Sequence, residues 1–129
     1  MAQPVAVILG ASHNRAKFGN KSVRAHLAAN FDVIPVNPRG GEIEGLQCRT
    51  SLDDLPTQSI DRISVYLSPD RLMPLLESVA KTDCGELWLN PGAESDEVLA
   101  RCLELGINAV CGCSIVDVGY SPADFPSAE

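Results

Sequence analysis

The chain has 129 residues, of which 45% are hydrophobic, and a formal net charge of −7 at pH 7. This length suffices for one domain with a substantial core and is too short for two. No window approaches the ~20 apolar residues of a membrane span, and no basic segment precedes the first apolar run, so we expect a cytoplasmic protein without a membrane partner. An acidic chain also suits a polyanionic partner poorly, so we expect no nucleic acid.

The charges are unevenly distributed along the chain. Residues 1–49 contain six Lys and Arg against three Asp and Glu, whereas residues 50–129 contain four against fourteen. The positive charge therefore gathers in the first part of the chain, where a small polyphosphate ligand would require it. The alternative is a chance clustering on a solvated surface.

The cysteines indicate neither a disulfide framework nor a metal site. Their number is odd, no C-x-x-C pair occurs, and no cluster has the spacing of metal ligands, so we predict reduced, mostly buried thiols and no bound metal. The cysteines are Cys48, Cys84, Cys102, Cys111 and Cys113.

The first element is an apolar strand that leads into a glycine-containing loop. Residues 5–9 are apolar throughout, as expected for a strand buried on both faces of a parallel sheet. A Gly-Ala-Ser loop follows at residues 10–12, and Gly19 and Asn20 open the next helix. Loop amides, the Ser12 hydroxyl and the unpaired N–H groups of a helix N-terminus are suitable donors to a phosphate. The alternative is an ordinary strand-to-helix turn that needs glycine for its backbone angles.

The rest of the chain alternates between extended apolar runs and amphipathic helical patterns. Further strands are predicted over residues 31–36, 63–67, 87–89 and 107–111. Helices are predicted over residues 21–29, after Ser68, and between Ser95 and Gly106, and residues 51–54 resemble a capping box on one helical turn. In the segment after Ser68, Pro74 predicts either a kink or a later helix start at Met73. Inward-facing residues of the last helix are Val98, Leu99, Cys102 and Leu103.

This alternation predicts an α/β fold. We expect a single Rossmann-like domain over residues 1–116, with a doubly wound, parallel, five-stranded sheet in the order 3-2-1-4-5. A C-terminal tail over residues 117–129 is either frayed or laid across the surface. Ligands bind such sheets where the strand order reverses, which here predicts a crevice over the first and fourth strands.

The end of the second strand bears on the type of nucleotide. Enzymes that bind NAD usually have Asp or Glu there, which accepts hydrogen bonds from the ribose hydroxyls. This chain instead reads Val36, Asn37, Pro38 and Arg39, and the arginine favours a ribose that carries a phosphate. NADP and coenzyme A both meet that requirement. The alternative is a plain turn after a strand.

Six blocks of sequence together resemble the small stand-alone CoA-binding proteins, which are similar to the N-terminal domain of the succinyl-CoA synthetase α subunit. The resemblance extends from about residue 5 to residue 116, in the right order throughout. The blocks are Gly-Ala-Ser at 10–12, Lys-Phe-Gly-Asn-Lys at 17–21, Val-Ile-Pro-Val-Asn-Pro at 33–38, Glu-Gly at 44–45, Ser-Val-Tyr-Leu at 64–67 with Pro69, and Leu-Trp-Leu-Asn-Pro-Gly-Ala-Glu-Ser at 87–95.

The resemblance implies a Rossmann-like domain whose cofactor is coenzyme A. The phosphates would lie on the loop at residues 10–12 and on the helix that starts near Gly19. Residues 35–38 and 67–69 would line the adenine and ribose pocket, and the pantetheine arm would run toward residues 90–92. The implied site residues are Gly10, Ala11, Ser12, Lys17, Phe18, Gly19, Asn20, Pro35, Asn37, Pro38, Arg39, Leu67, Pro69, Asn90, Pro91 and Gly92.

No residue is predicted to be catalytic. His13 lies on the phosphate loop and His26 is expected on a helix surface, and neither has an evident partner by spacing. Cys111 and Cys113 follow the fifth strand, where a thiol near the reactive end of coenzyme A would allow a mixed disulfide. The alternative is two small side chains that pack a strand end.

We therefore predict non-catalytic binding of coenzyme A or an acyl-CoA. The first alternative is an NADP-binding oxidoreductase or redox sensor, and the second is a ligand-free interaction subunit of an acyl-CoA enzyme. A second copy of the chain and a larger acyl-CoA enzyme are the protein partners that this prediction leaves open.

Overall fold

Strand β1 (Val5–Leu9) lies inside a parallel sheet because its side chains are apolar on both faces. In the computed structural model, which describes residues 3–57 and 59–127, β1 has a strand on each side. Val7 and Leu9 join one core cluster, whereas Ala6 and Ile8 join another. This is the alternation expected when helices cover both faces of a sheet.

Strands and helices alternate along the chain, as in other doubly wound sheets. The other strands of the main sheet are β2 (Asp32–Val36), β5 (Ser59–Val65), β6 (Asp83–Leu89) and β7 (Ala109–Cys111), and a separate antiparallel hairpin is formed by β3 (Glu42–Ile43) and β4 (Leu46–Gln47). The helices are α1 (Phe18–Ala28), α2 (Pro69–Leu72), α3 (Leu76–Lys81), α4 (Asp96–Leu105) and α5 (Ser114–Asp117). Short 3₁₀ turns occur at Leu52–Asp54, Met73–Leu75 and Pro122–Asp124.

The order of the main sheet is β2-β1-β5-β6-β7, and all its pairs are parallel. One more extended segment lies outside β2, where Arg49 forms a parallel bridge with Val36. The Arg49 N–H donates to the carbonyl of Pro35, and its carbonyl accepts from the Asn37 N–H, both at 2.9 Å. If the Arg49 segment is counted as the third strand, then this segment, β2, β1, β5 and β6 form the order 3-2-1-4-5, and β7 extends the sheet by one further strand. The predicted Rossmann-like α/β sheet is confirmed.

The strand predicted third in the chain has a different place in this order. The prediction put residues 63–67 outside β2, but the strand containing them, β5, pairs with β1 on its other side. After β2 the chain forms the β3–β4 hairpin and then pairs Arg49 with the outer edge of β2. Because that edge is occupied, the next long strand adds to the open edge of β1. The strand order therefore reverses between β1 and β5, and not between the strands at residues 5–9 and 87–89.

Several element boundaries differ from those predicted. β5 and β6 begin earlier than expected, and α1 begins at Phe18, not at residue 21. Pro74 lies in a 3₁₀ turn between α2 and α3, so the helix after Ser68 is kinked there. Helix α4 is capped by the Ser95 hydroxyl as predicted. Of its four residues predicted to face inward, Val98 and Cys102 are buried, whereas Leu99 and Leu103 are 39% and 83% exposed.

The C-terminal segment lies across the surface of α1. Arg62 of β5 holds α5 through Asp117, at 2.8 Å from Nη2 to Oδ2. Further on, the guanidinium of Arg24 donates to the carbonyls of Phe125 and Pro126 and lies 5.8 Å from the centre of the Phe125 ring. The tail was predicted to be either frayed or laid across the surface, and its described residues, 117–127, lie across the surface.

His26 was expected on a helix surface, and that prediction is wrong, because its side chain is completely buried in α1. The Nδ1–H donates to the carbonyl of Ser22 at 2.8 Å, which leaves Nε2 as the unprotonated nitrogen. Nε2 contacts no hydrogen-bond partner among the described residues. Burial lowers the pKa of His26 from its ordinary value of 6.5, the Ser22 carbonyl opposes this shift, Arg62 adds to it and Asp117 opposes it.

We expect His26 to make the protein less stable in mild acid. Its pKa is lower in the folded state than in the unfolded chain, so below the ordinary value of 6.5 the unfolded chain binds the proton more readily. The stability is fully present above that pH and falls as the pH drops toward the folded-state pKa. Urea unfolding at about pH 7.5 and pH 5.5 should show a smaller loss in His26→Gln than in the wild type. An equal loss in both proteins would contradict this assignment.

Candidate functional site

A cleft of about 1120 Å³ opens at the carboxyl ends of the parallel strands. Its floor is formed by the residues that directly follow β1, β2 and β5, which begin with Gly10, Asn37 and Tyr66. The cleft thus lies at the reversal of strand order between β1 and β5, where open α/β sheets bind their ligands. Its volume is slightly above the usual range for small-molecule sites, which suits an extended ligand.

The loop after β1 presents fewer amides to the cleft than the sequence suggested. The N–H groups of Gly10 and Ala11 both donate to the carbonyl of Val36, at 3.1 and 3.2 Å. Among the described residues, the N–H groups of Ser12 and His13 donate to no protein acceptor. The amides of Gly10 and Ala11 are therefore used within the fold, and the Ser12 amide is the loop donor that belongs to a cleft residue and has no acceptor among the described residues.

The N-terminus of α1 supplies further donors beside this loop. Lys17 is the N-cap residue and offers no side-chain cap, and the first turn of α1 contains no acidic residue. Among the described residues, the N–H groups of Phe18 and Gly19 also lack a protein acceptor. Gly19 lies against the loop so closely that a Cβ there would collide with the carbonyl of Gly10. The amides of Phe18 and Gly19 and the amide of Ser12 thus belong to residues that line the cleft, where an anion can satisfy them.

Two asparagines hold these loops in place. The completely buried Asn20 donates from Nδ2 to the carbonyl of Ser12 at 3.0 Å. Asn37 donates from Nδ2 to the carbonyl of Ala11 at 2.7 Å, and its Oδ1 accepts from the N–H of Arg39 at 2.8 Å. Both side chains were predicted as ligand contacts. In the structure their hydrogen-bonding groups position the backbone around the cleft.

A third asparagine, Asn90, is the centre of a buried polar network. Its Nδ2 donates to Ser64 Oγ and to the carbonyl of Val65, both at 2.9 Å, and its Oδ1 accepts from the N–H and Oγ of Ser114. The Tyr66 hydroxyl lies 3.1 Å from the same Ser114 Oγ. Burial raises the pKa of Tyr66, whereas its hydrogen bond with Ser114 opposes that shift. The network joins the ends of β5 and β6 to the start of α5.

Among the described residues that line the cleft, three are cationic and one is a carboxylate. Lys17, Arg39 and Arg71 line it and are exposed, and Asp53 is the acidic residue of the wall. Arg71 was not predicted, although Ser68 and the proline after it mark a helix start at the end of a strand. The exposed cations leave the mouth of the cleft with the positive charge that a phosphorylated ligand requires.

A family model described as CoA binding domain matches residues 5–119 of this chain. The chain belongs to the CoA binding domain family. The matched segment begins with β1, contains every strand of the main sheet and ends just after α5. It therefore includes the cleft, the cations around it and the asparagine network beside it. The resemblance inferred from six blocks of sequence is confirmed.

Other proteins share the sequence or the fold of this CoA binding domain. A conserved hypothetical protein from Pyrococcus furiosus has 33% sequence identity and a TM-score of 0.79, covering 89% of this chain and 98% of that one. The uncharacterized protein YneT of Bacillus subtilis is 25% identical over 99 residues, which is 77% of this chain and 73% of YneT. Dinucleotide-forming acetyl-coenzyme A synthetase 1 from Ca. Korarchaeum cryptofilum has 20% identity and a TM-score of 0.71, covering 84% of this chain and 25% of that chain. The last similarity shows a common fold.

The cleft of this CoA binding domain brings together most of the predicted site residues. Those that line it are Gly10, Ala11, Ser12, Lys17, Phe18, Gly19, Asn37, Pro38, Arg39, Leu67, Pro91 and Gly92. Asn20, Pro35, Pro69 and Asn90 do not. Asn20 and Asn90 lie behind the wall in the hydrogen-bond networks described above, Pro35 is buried in β2, and Pro69 begins α2.

Sequence reasoning missed one wall of the cleft. Residues 50–53 and Tyr66 line it, together with Arg71. Residues 50–53 follow the single bridge of Arg49, and no apolar run marks that segment as a strand. The sequence therefore gave no signal that these residues return to the ligand edge of the sheet.

Two of the five cysteines lie near the end of the site. Cys113 is half-buried and lines a smaller second cavity of about 320 Å³, whereas Cys111 is exposed. All five cysteines are free thiols. A mixed disulfide with coenzyme A stays a prediction. Across residues 3–57 and 59–127, no three His, Cys, Asp or Glu side chains are grouped to hold a metal ion, and no helix is long and apolar enough to span a bilayer.

Proposed function

We propose that this CoA binding domain binds coenzyme A or an acyl-CoA in the cleft, with the diphosphate between the loop after β1 and the N-terminus of α1. The observation that carries the proposal is that Ser12, Phe18 and Gly19, whose N–H groups have no protein acceptor among the described residues, all line the cleft. Partial positive charge at the start of α1 and the amine of Lys17 reinforce it. The Ser12 hydroxyl accepts from the Asn14 N–H, so its own hydrogen can be donated to a phosphate.

The adenosine half of the ligand is proposed to lie beside the ends of β2 and β5. Arg39 and Arg71 line that part of the cleft, and a guanidinium can hold a phosphate with two parallel hydrogen bonds. A phosphate on the adenosine ribose would give both arginines an acceptor. Leu67 and Pro38 supply apolar surface for the base. The pantetheine arm then leads toward Pro91 and Gly92 at the other end of the cleft.

NADP also carries a phosphate on its adenosine ribose, so the two cofactors must be separated by experiment. Membership in the CoA binding domain family supports coenzyme A. The fold shared with an acetyl-coenzyme A synthetase is consistent with that ligand. A homodimer, or association with a larger acyl-CoA enzyme, stays a prediction.

We expect Lys17→Ala to weaken coenzyme A binding about tenfold, because it removes a charge-assisted contact to phosphate. Isothermal titration calorimetry with coenzyme A, 3′-dephospho-coenzyme A and NADPH measures this directly. Since Lys17 is exposed, the loss should shrink as salt is raised. Coenzyme A should bind more tightly than its dephospho form, through Arg39 and Arg71.

Lys81→Ala is the matched control, because Lys81 is also exposed but does not line the cleft. Coenzyme A affinity in this variant should equal that of the wild type. Binding of NADPH without coenzyme A would favour the oxidoreductase or redox sensor. Binding of none of the three ligands would favour the ligand-free interaction subunit.

A further inference from the structure

The second cavity adjoins the pantetheine end of the cleft. Phe18, Tyr66 and Pro91 line both spaces, so one wall is common to the two. The proposed course of the pantetheine arm leads to Pro91, which places the thiol end of the ligand at this common wall. Whatever is attached to the sulfur of coenzyme A would extend next into the second cavity.

The far side of the second cavity is apolar and is built by the C-terminal segment. Ile115 and Val116 of α5 and Pro122 of the following 3₁₀ turn line it. None of the described residues that line this cavity is charged. Its volume of about 320 Å³ is at the lower end of the range for small-molecule sites. The space thus suits a small apolar group.

The side chains of Asn90 and Tyr66 on its wall already have partners within the protein. Asn90 uses both its amide nitrogen and its oxygen on Ser64, Val65 and Ser114. The Tyr66 hydroxyl is held by Ser114. Among the described residues that line this cavity none is cationic, so a carboxylate placed there would be buried without a counter-charge, which is strongly unfavourable.

Resting on the proposed coenzyme A site, we propose that the second cavity holds the acyl group of an acyl-CoA and selects a short, uncharged chain. The chain would bury apolar surface against Val116 and Pro122, which free coenzyme A would leave unfilled. Dicarboxylic acyl groups are disfavoured because their second carboxylate would be buried without a counter-charge. The favoured ligand class is therefore a fatty acyl-CoA of a few carbons.

Calorimetric titration with coenzyme A and with butyryl-, hexanoyl- and succinyl-CoA tests this inference. Each methylene buried should tighten binding about fourfold until the cavity is full, which corresponds to ~0.8 kcal/mol per methylene. Succinyl-CoA should bind more weakly than butyryl-CoA. Equal affinity for all four ligands, or preference for succinyl-CoA, would overturn the acyl pocket. Failure of coenzyme A and all its thioesters to bind would instead contradict the proposed function itself.

Val116→Asp places a carboxylate on the cavity wall without disturbing the core, because Val116 is 60% exposed. It should lower the ratio of hexanoyl-CoA affinity to coenzyme A affinity at least tenfold. Leu103→Asp is the control, since Leu103 is exposed on α4 and lines neither space. An unchanged ratio in Val116→Asp would contradict the inference, as would a fall of the same size in Leu103→Asp.

Discussion

Asn90→Ala is expected to lower the free energy of unfolding by about 3–5 kcal/mol, because each buried polar group left without a partner costs about 1–3 kcal/mol. Asn90 is 3% exposed and satisfies the carbonyl of Val65 and the N–H and hydroxyl of Ser114. Alanine offers none of these hydrogen bonds. The substitution would remove the hydrogen bonds that join the ends of β5 and β6 to the start of α5.

Urea unfolding followed by circular dichroism measures this loss, with Asn108→Ala as the control. Asn108 is exposed and makes one side-chain hydrogen bond, to the carbonyl of Gly85 at 3.1 Å, so its removal should cost about 1 kcal/mol or less. If Asn90→Ala abolished coenzyme A binding while stability was unchanged, the side chain would be a ligand contact and not a structural one. We expect instead that Asn90→Ala lowers the free energy of unfolding, because this side chain bonds to the protein and not to the ligand.

The strands of the main sheet could be predicted because buried parallel strands consist of nearly continuous apolar residues. Residues 5–9 form β1 with the bounds expected, and the capped α4 follows Ser95 as its sequence indicates. The segment around Arg49 carries no such pattern. It adds to the sheet through one bridge, and the position of β5 beside β1 depends on that bridge. Strand order was therefore harder to predict than strand location.

The ligand edge could be located from the sequence, but its hydrogen-bond donors could not. A glycine after a buried strand predicts a turn there, yet which amides face a ligand depends on which carbonyls lie nearby. Here the carbonyl of Val36, on a neighbouring strand, takes the amides of Gly10 and Ala11. In the same way, Asn20 and Asn37 occupy the predicted positions but bond to backbone groups of the loop. The residue type thus indicated that a polar group was present, but tertiary contacts determined whether that group faced the cleft or bonded to the backbone.

Gly10→Ala is expected to destabilise the protein by about 3 kcal/mol or more, because two independent penalties add at this position. Gly10 has a φ of +91°, in the left-handed region that favours glycine. A Cβ there would also lie 2.6 Å from the carbonyl oxygen of Tyr66, which is fixed in the backbone after β5. Either the loop after β1 or the end of β5 would have to move, and both border the cleft.

Gly106→Ala separates the two penalties, because Gly106 has a φ of +72° and a Cβ there would meet nothing within 4 Å. This control should cost only the left-handed conformation, about 1 kcal/mol, so Gly10→Ala should exceed it by about 2 kcal/mol in urea unfolding. Equal losses would mean that β1 and β5 are not packed as closely as the structure shows. Because the clash is with Tyr66 and not with a ligand, the full loss should appear in protein unfolded without any ligand in the buffer. A substitution at Gly10 therefore reports on the sheet, and Lys17→Ala remains the direct test of the phosphate site.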